Sequence, residues 1–324
     1  MSNAYNRPDQ LSAELRDKIM AAAAELGYAG PDPVARSLRT RQADAVGLIF
    51  AERLDYAFHD PGAVEYVGGL ASACTERGRS LLMVPSGAGH VETVRRAAVD
   101  GFVVSALSAS DELLAAVLGR PQPAVVVDAP LGLARVDFVG IDDRAAFALA
   151  GRHVVELGHR RIGVVTVRRH EDVPGEPVPS RLAERLAAGA LAHPVRQQRL
   201  LGLRDVLPPS ASVLVTERPA NSREEGAAGA AALLAAEPRL TAVLCTSDIL
   251  AFGALDVCPA GLTVTGFDDV PAAAGAGLTT VRQPLAGKGR AAIELLLDDQ
   301  PRERAVERLL PCELVVRGSS GLAG

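Results

Sequence analysis

Between residues 45 and 267 the chain repeats one pattern, and that pattern leaves few folds open. Short apolar, β-rich runs recur: "AVGLIFA" (45–51), "SLLMVP" (80–85), "GFVVSA" (101–106), "PAVVVDA" (123–129) and "VDFVGI" (136–141). Helical stretches such as "GAVEYVGGLASACTER" (62–77) lie between several of them. A strand that is apolar without alternation must be buried on both faces, and intervening helices supply the cover, which means a parallel sheet. A second set follows: "RIGVVTV" (161–167), "SVLVT" (212–216), "TAVLCTS" (241–247) and "LTVTGF" (262–267). The sequence therefore predicts an α/β fold with two doubly wound parallel-sheet lobes. The first spans roughly 45–160 and the second roughly 161–281, and a C-terminal segment crosses back. Two such lobes in tandem place a ligand in the cleft that faces the carboxyl ends of their strands.

The first 44 residues do not share this rhythm. A helix is expected over 13–26, with Ser12 as N-cap, Glu14 in the first turn and Gly27 as the stop. Leu15, Ile19, Ala22 and Leu26 form one apolar face, which needs a partner to be buried. Residues 29–44 read as a linker with an embedded short helix, where Asp32 can cap, Pro33 suits the first turn, and Val34 and Leu38 share a face. Such a helix is too short to be stable alone.

Composition narrows the function classes. Net charge is −5 and pI about 5.8, so the chain as a whole is no electrostatic footprint for nucleic acid. Residues 1–44 balance six Lys/Arg against six Asp/Glu. The N-terminus lacks the pattern of a secretory signal, no apolar run is long enough to span a membrane, and the protein is expected in the cytoplasm. Cys74, Cys245, Cys258 and Cys312 show neither metal nor redox spacing and read as small buried side chains. "GAGHVE" (87–92) and "GKGRAA" (287–292) are poor phosphate loops, and neither GxSxG nor HExxH occurs. His159 in "ELGHRRIGVV" reads as a structural turn residue. Nothing assembles an acid, a base and a nucleophile, so the expectation is a protein that is not an enzyme and uses no cofactor.

Two residues stand out as binding candidates. In "CTSDILAFGAL" (245–255) a strand ends, Asp248 follows and a helix opens. Asp248 can cap that helix, point a carboxylate into the cleft, or do both. In "RQQRLLGLRDVL" (196–207) Arg199 lies near a helix start, where the dipole does not favour a cation, which suggests a partner.

Taken together, "SNAYNRPDQLSAELRDKIMAAAAELGY", "PDPVARSLRT", "VGLIF", "ELGHRRIGVV", "RLLGLRDVL", "TAVLCTSDILAFGAL", "TVTGFDDVP" and "LTTVRQPLAGKGRAAIELLL", in this order, resemble the lactose-repressor family of bacterial transcription regulators. The resemblance implies a helix-turn-helix headpiece and hinge helix over 1–44. It further implies a periplasmic-binding-protein-like core over 45–324 that binds an effector and dimerises. "MSNAYN" is similar to the end of the family's recognition helix, so the first helix, the turn and the start of the reader are expected to be absent. Met1 stands where the family typically has valine, as an internal GTG start would produce; a genuine truncation or a deliberately trimmed chain would leave the same end. Operator binding by the chain as given is expected to be impaired. By resemblance the hinge helix is 32–39. Leu38 is the minor-groove wedge, and Ser2, Asn3, Asn6 and Arg36 face DNA. Asp248, Arg199 and Asp128 match effector-contacting positions.

The chain also departs from the family. Gly62, Ala63 and Asn221 stand where members often place aromatics, leaving Tyr56 or Phe58 to supply a ring face. "GALDVCPAGLTVTGF" is shorter than the family's equivalent, so the helix opening at Asp248 must end near Val257, before Pro259. The expected function is a homodimeric DNA-binding regulator, read as a repressor. Its effector is small, polar and sugar-like or a related metabolite, and no membrane is involved. A solute-binding protein of the same core fold is the alternative, and it would not carry "PDPVARSLRT".

Overall fold

In the computed structural model the described residues are 4, 11–28, 42–51, 54–129, 132–167, 179–187, 194–298 and 304–324. Ser2, Asn3, Asn6, Arg36, Leu38 and the helix expected over 32–39 lie outside them. Helix α1 (Ala13–Glu25) is capped by Ser12, whose hydroxyl accepts from the Leu15 amide, and Leu15 and Leu26 are exposed.

The chain then runs β1 (Ala45–Phe50), α2 (Tyr56–His59), α3 (Pro61–Glu76), β2 (Ser80–Val84), α4 (Val91–Arg96), β3 (Gly101–Ser105), α5 (Glu112–Leu118), β4 (Ala124–Val127) and β5 (Asp137–Gly140). These strands and the late strand β12 (Glu307–Leu309) form one parallel sheet, ordered β12-β5-β4-β3-β1-β2. Alternate side chains serve opposite faces. Val103, Val125 and Val127 pack under α3 and α12 (Leu285–Leu296), while Val104 and Val126 pack under α4 and α5. Helices α3 and α12 approach so closely that a methyl on Gly69 would strike the Ala286 carbonyl.

The second set begins with α6 (Asp143–Glu156), β6 (Arg161–Val167), β7 (Ser180–Arg181), α7 (Leu182–Ala187), α8 (Pro194–Val206), β8 (Ser212–Arg218) and α9 (Arg223–Ala236). It continues with β9 (Ala242–Cys245), α10 (Asp248–Val257), β10 (Thr263–Asp268), α11 (Pro271–Gly275) and β11 (Thr279–Arg282). With β13 (Glu313–Val315) these strands form a sheet ordered β13-β11-β10-β9-β6-β8-β7, parallel in its centre and antiparallel at both edges. Helices α6 and α8 cover one face; α9, α10 and α11 cover the other.

Helix α10 ends at Val257, as the shortened connection requires, and Pro259 cannot extend it. Beyond that end, Cys258, Leu262 and Ser319 help line an open cavity of about 310 Å³. The chain passes between the sheets three times: after β5, after β11 and between β12 and β13. Leu310, in the third passage, packs against the cores of both lobes.

Candidate functional site

Strand ends decide which side chains face the gap between the lobes. Four non-glycine residues beyond or at the carboxyl ends of strands adopt left-handed backbone: Ala106 after β3, Asp128 after β4, and Asp268 and Asp269 at β10. This conformation is costly for residues with a Cβ, least so for Asp, and its clustering at one place marks a site.

In the second lobe, Arg199 rises from α8. Its Nε donates to Asp143 Oδ1 at 2.8 Å and its Nη1 to the Thr246 carbonyl at 2.7 Å. The guanidinium lies 3.8 Å over the Phe267 ring, a cation–π contact that also covers the ring face. Burial pushes the Asp143 carboxyl up, and the Arg199 charge opposes that shift.

Asp248 is corrected by the structure. It is fully buried within the second lobe and does not line the cleft. Its Oδ1 accepts from the Thr280 hydroxyl at 2.5 Å and its Oδ2 from the Val270 amide at 2.9 Å. Gly266 makes room for it, since a methyl there would strike Oδ1. Burial raises its pKa to about 6. Ser247, not Asp248, caps α10.

The carboxylate that reaches the gap is Asp268, at the end of β10, which the sequence reading missed. Its Oδ1 accepts from Gln283 Nε2 at 2.5 Å, and its Oδ2 lies near Gly62 at the start of α3 in the other lobe. Burial first, then the charge of Asp248, pushes the Asp268 carboxyl well up. Gln283 Oε1 is buried and accepts no hydrogen bond, an exception among buried polar atoms.

The first lobe contributes Tyr56, Asp60, Asp128 and Lys288. Asp60 Oδ1 caps α3 through the Ala63 amide at 2.8 Å. Burial raises its pKa, and the hydrogen bonds it accepts work against that shift. Asn221, in the connection after β8, joins the lobes directly. Its Nδ2 donates to Tyr56 Oη at 2.8 Å and to Asp60 Oδ2 at 3.0 Å, while its Oδ1 accepts from the Ser247 hydroxyl at 2.5 Å. Lys288 Nζ donates to Asp128 Oδ1 at 2.6 Å. The Tyr66 and Ser105 hydroxyls pair beneath them.

Of the sequence candidates, Arg199, Asp128, Asn221 and Tyr56 thus meet around one gap. Phe58, in α2 with Tyr56, is 65% exposed. His159 is buried, bonded to the Thr241 hydroxyl and the Gly321 carbonyl, so it ties the C-terminal segment to the lobe. The gap offers carboxylate and amide acceptors, amide and guanidinium donors, and hydroxyls that do both. That set binds hydroxyl groups.

Comparison with known proteins agrees with this architecture. Residues 152–320 match the family model described as a periplasmic binding protein-like domain. The HTH-type transcriptional regulator Rv3575c of Mycobacterium tuberculosis is 44% identical, over 99% of this chain and 92% of that protein. The crystal structure of a LacI-family transcriptional regulator from Corynebacterium glutamicum superposes with a TM-score of 0.75 at 34% identity, over 98% of this chain and 94% of the other. A complex of the transcriptional regulator CelR with cellobiose superposes with a TM-score of 0.68 at 26% identity, over the same shares.

Proposed function

This chain belongs to the lactose-repressor (LacI) family of transcriptional regulators, and on that premise we propose that it represses transcription under the control of a hydroxyl-rich effector held between its lobes. The observation that carries the reading is the convergence on Asn221. Tyr56 and Asp60 from one lobe and Ser247 from the other share its single amide. The ring of Phe267 lies under Arg199, so recognition rests on hydrogen bonds and not on stacking. Sites of this kind select sharply, because a ligand that leaves a buried polar group unpaired is penalised. The sugar in the CelR complex supports a carbohydrate-like effector here.

Effector hydroxyls replace the bonds that Asn221 makes across the gap, and the relative setting of the lobes changes with them. The change reaches the N-terminal segment, where Ser2, Asn3, Asn6, Arg36 and Leu38 are the proposed DNA contacts. The protein acts as a homodimer on operator DNA in the cytoplasm, with Arg199, Asp268, Asp128, Asn221 and Tyr56 as effector contacts.

The test is a thermal-shift screen of neutral sugars and polyols, followed, for each hit, by operator titration at one salt concentration with the chain fused behind a complete LacI-family headpiece. At least one compound is expected both to raise Tm and to change operator affinity. A silent panel would overturn the effector reading, and binding without any effect on DNA would favour a solute-binding role. Asn221→Ala should weaken the hit about tenfold, since it removes the donor to Asp60 Oδ2 and the acceptor of the Ser247 hydroxyl. Sedimentation near twice the 33.7 kDa chain mass checks the dimer.

A further inference from the structure

The pair formed by Lys288 and Asp128 is not explained by stability. Only two of the 34 Lys and Arg residues are lysines, Lys18 and Lys288, so position 288 holds a compact ammonium in a chain that otherwise uses guanidinium. Its side chain leaves the second turn of α12 and is almost wholly buried, on a helix whose other buried residues, Leu285, Gly289, Ala291, Ala292, Ile293, Leu295 and Leu296, are all apolar. Taking an ammonium out of water costs more than one ion pair usually returns, and an apolar residue would be the stable choice. The partner is costly too, because Asp128 sits in left-handed backbone with φ +65°. Two unfavourable features joined by one 2.6 Å bond, at the wall of the gap, call for a functional reason.

Lys288 occupies Asp128 Oδ1, while about a quarter of the Asp128 side chain remains exposed to the gap. Across the gap stands the pair Asp143–Arg199. Asp128 pushes the Asp143 carboxyl up, Lys288 draws it down, and Asp128 helps keep Arg199 charged, so the two ion pairs lie within electrostatic reach of each other and Lys288 offsets the charge of Asp128 there.

We propose that Lys288 is a positioning residue that selects the effector's charge: by pinning and neutralising Asp128 it makes this wall accept a hydroxyl group and refuse an ammonium group. The proposal rests on the reading of the gap as the effector site. A lone carboxylate in a poorly solvated gap draws in a cation. Paired with Lys288 it has no net charge to offer, yet Oδ2 still accepts a hydrogen bond. A second ammonium would then meet Lys288 as a like charge.

Lys288→Met keeps the length of the stem and removes the charge. The parent and this variant are titrated with ethylammonium chloride, with sodium chloride at equal ionic strength and with ethanol, and Tm is read. Ethylammonium is expected to stabilise the variant and not the parent, while ethanol has no differential effect. Both proteins are also titrated with neutral sugars and their amino-sugar counterparts. The neutral sugar that binds the parent should weaken about tenfold in the variant, and its amino analogue should bind the variant more tightly than the parent. An equal ethylammonium response in both proteins, or an unchanged preference between sugar and amino sugar, would overturn the proposal. A parent that answers to no sugar counts against the effector reading, whereas the ethylammonium arm still decides on Lys288. Lys288→Gln takes the place of Lys288→Met if that variant does not fold, and the double variant that adds Asp128→Asn should lose the ethylammonium response. An ethylammonium response that survives in it would also overturn the assignment.

Discussion

The two sheets share the order of five parallel strands but not a chemistry. Among the described strand residues of the first sheet, Ser105 is the one buried hydroxyl, and the other buried residues are Val, Leu, Ile, Phe and Gly. The second sheet buries six threonines: Thr166, Thr216, Thr263, Thr265, Thr279 and Thr280. Thr280 holds Asp248, Thr279 bonds the Arg317 backbone in both directions, and Thr263 bonds the Gly321 carbonyl. The first lobe is therefore a dry wall whose polar groups sit at its rim. The second is wired through its interior, and its buried carboxylates, hydroxyls and guanidinium position one another. Apolar packing tolerates exchange of similar shapes, whereas a buried polar network fails when one member is removed.

The largest effect is expected for Arg199→Ala. Asp143 would be left buried and unpaired, and the Phe267 contact would be lost, at a cost of about 3–5 kcal/mol. Urea denaturation should show the loss, and hydrogen exchange should place it in the second lobe. Equal loosening of both lobes would break the comparison.

Next is Asp248→Asn, which tests the pH dependence that a buried carboxylate gives the second lobe. The folded carboxyl titrates near 6 against 3.8 for an ordinary Asp, so the folded state holds its proton more tightly. That contribution is full below about 3.8 and is lost as pH rises through about 6. Asn keeps the shape without the charge, so the variant should gain on the parent by up to about 2–3 kcal/mol between pH 4 and pH 8. The raised Asp268 carboxyl acts in the same direction and leaves a residual slope. Urea midpoints across that range that run parallel for the two proteins would remove Asp248 as the cause.

The smallest effects come as a mirrored pair of substitutions that preserve shape. Thr265 Oγ1 is buried without a partner, so Thr265→Val should be neutral or stabilise by up to about 1 kcal/mol. Val126→Thr plants a hydroxyl in the dry sheet and should cost about 1–3 kcal/mol. Calorimetry reads both: opposite signs show that a hydroxyl without a partner is unwelcome in either sheet, so that the contrast rests on the bonded threonines, whereas a clear loss from Thr265→Val would show that the second interior supports even this hydroxyl.

The architecture was legible because continuous apolar runs leave one solution, and the early end of α10 was legible because Pro259 cannot be helical. Strands β7, β11, β12 and β13 were not read, being two to four residues long and too short for periodicity to show. The site was legible in its residue types and wrong in one orientation. Position at a strand's end favoured Asp248, but a carboxylate faces the cleft only if the backbone turns it there. The vacancy at Gly266 draws Asp248 inward, and φ +126° sets Asp268 apart. The doubled aspartate in "GFDD" was the available signal, since Asp tolerates such backbone. The bonds of Asn221 to Tyr56 and Asp60 span more than 160 residues and arise only when the lobes meet.

The three passages of chain between the lobes have a mechanical consequence. Two bodies joined by a single strand can swing and twist freely, whereas three strands side by side act as three pins in one door, so a single rotation remains easy. Two of those pins carry gap residues. The first passes directly into Asp143, the partner of Arg199, and the second contains Gln283, bonded to Asp268. On the proposed binding mode, a molecule held by Arg199 and Asp268 pulls on the axle itself, and its binding energy is delivered into one angle instead of being scattered over many.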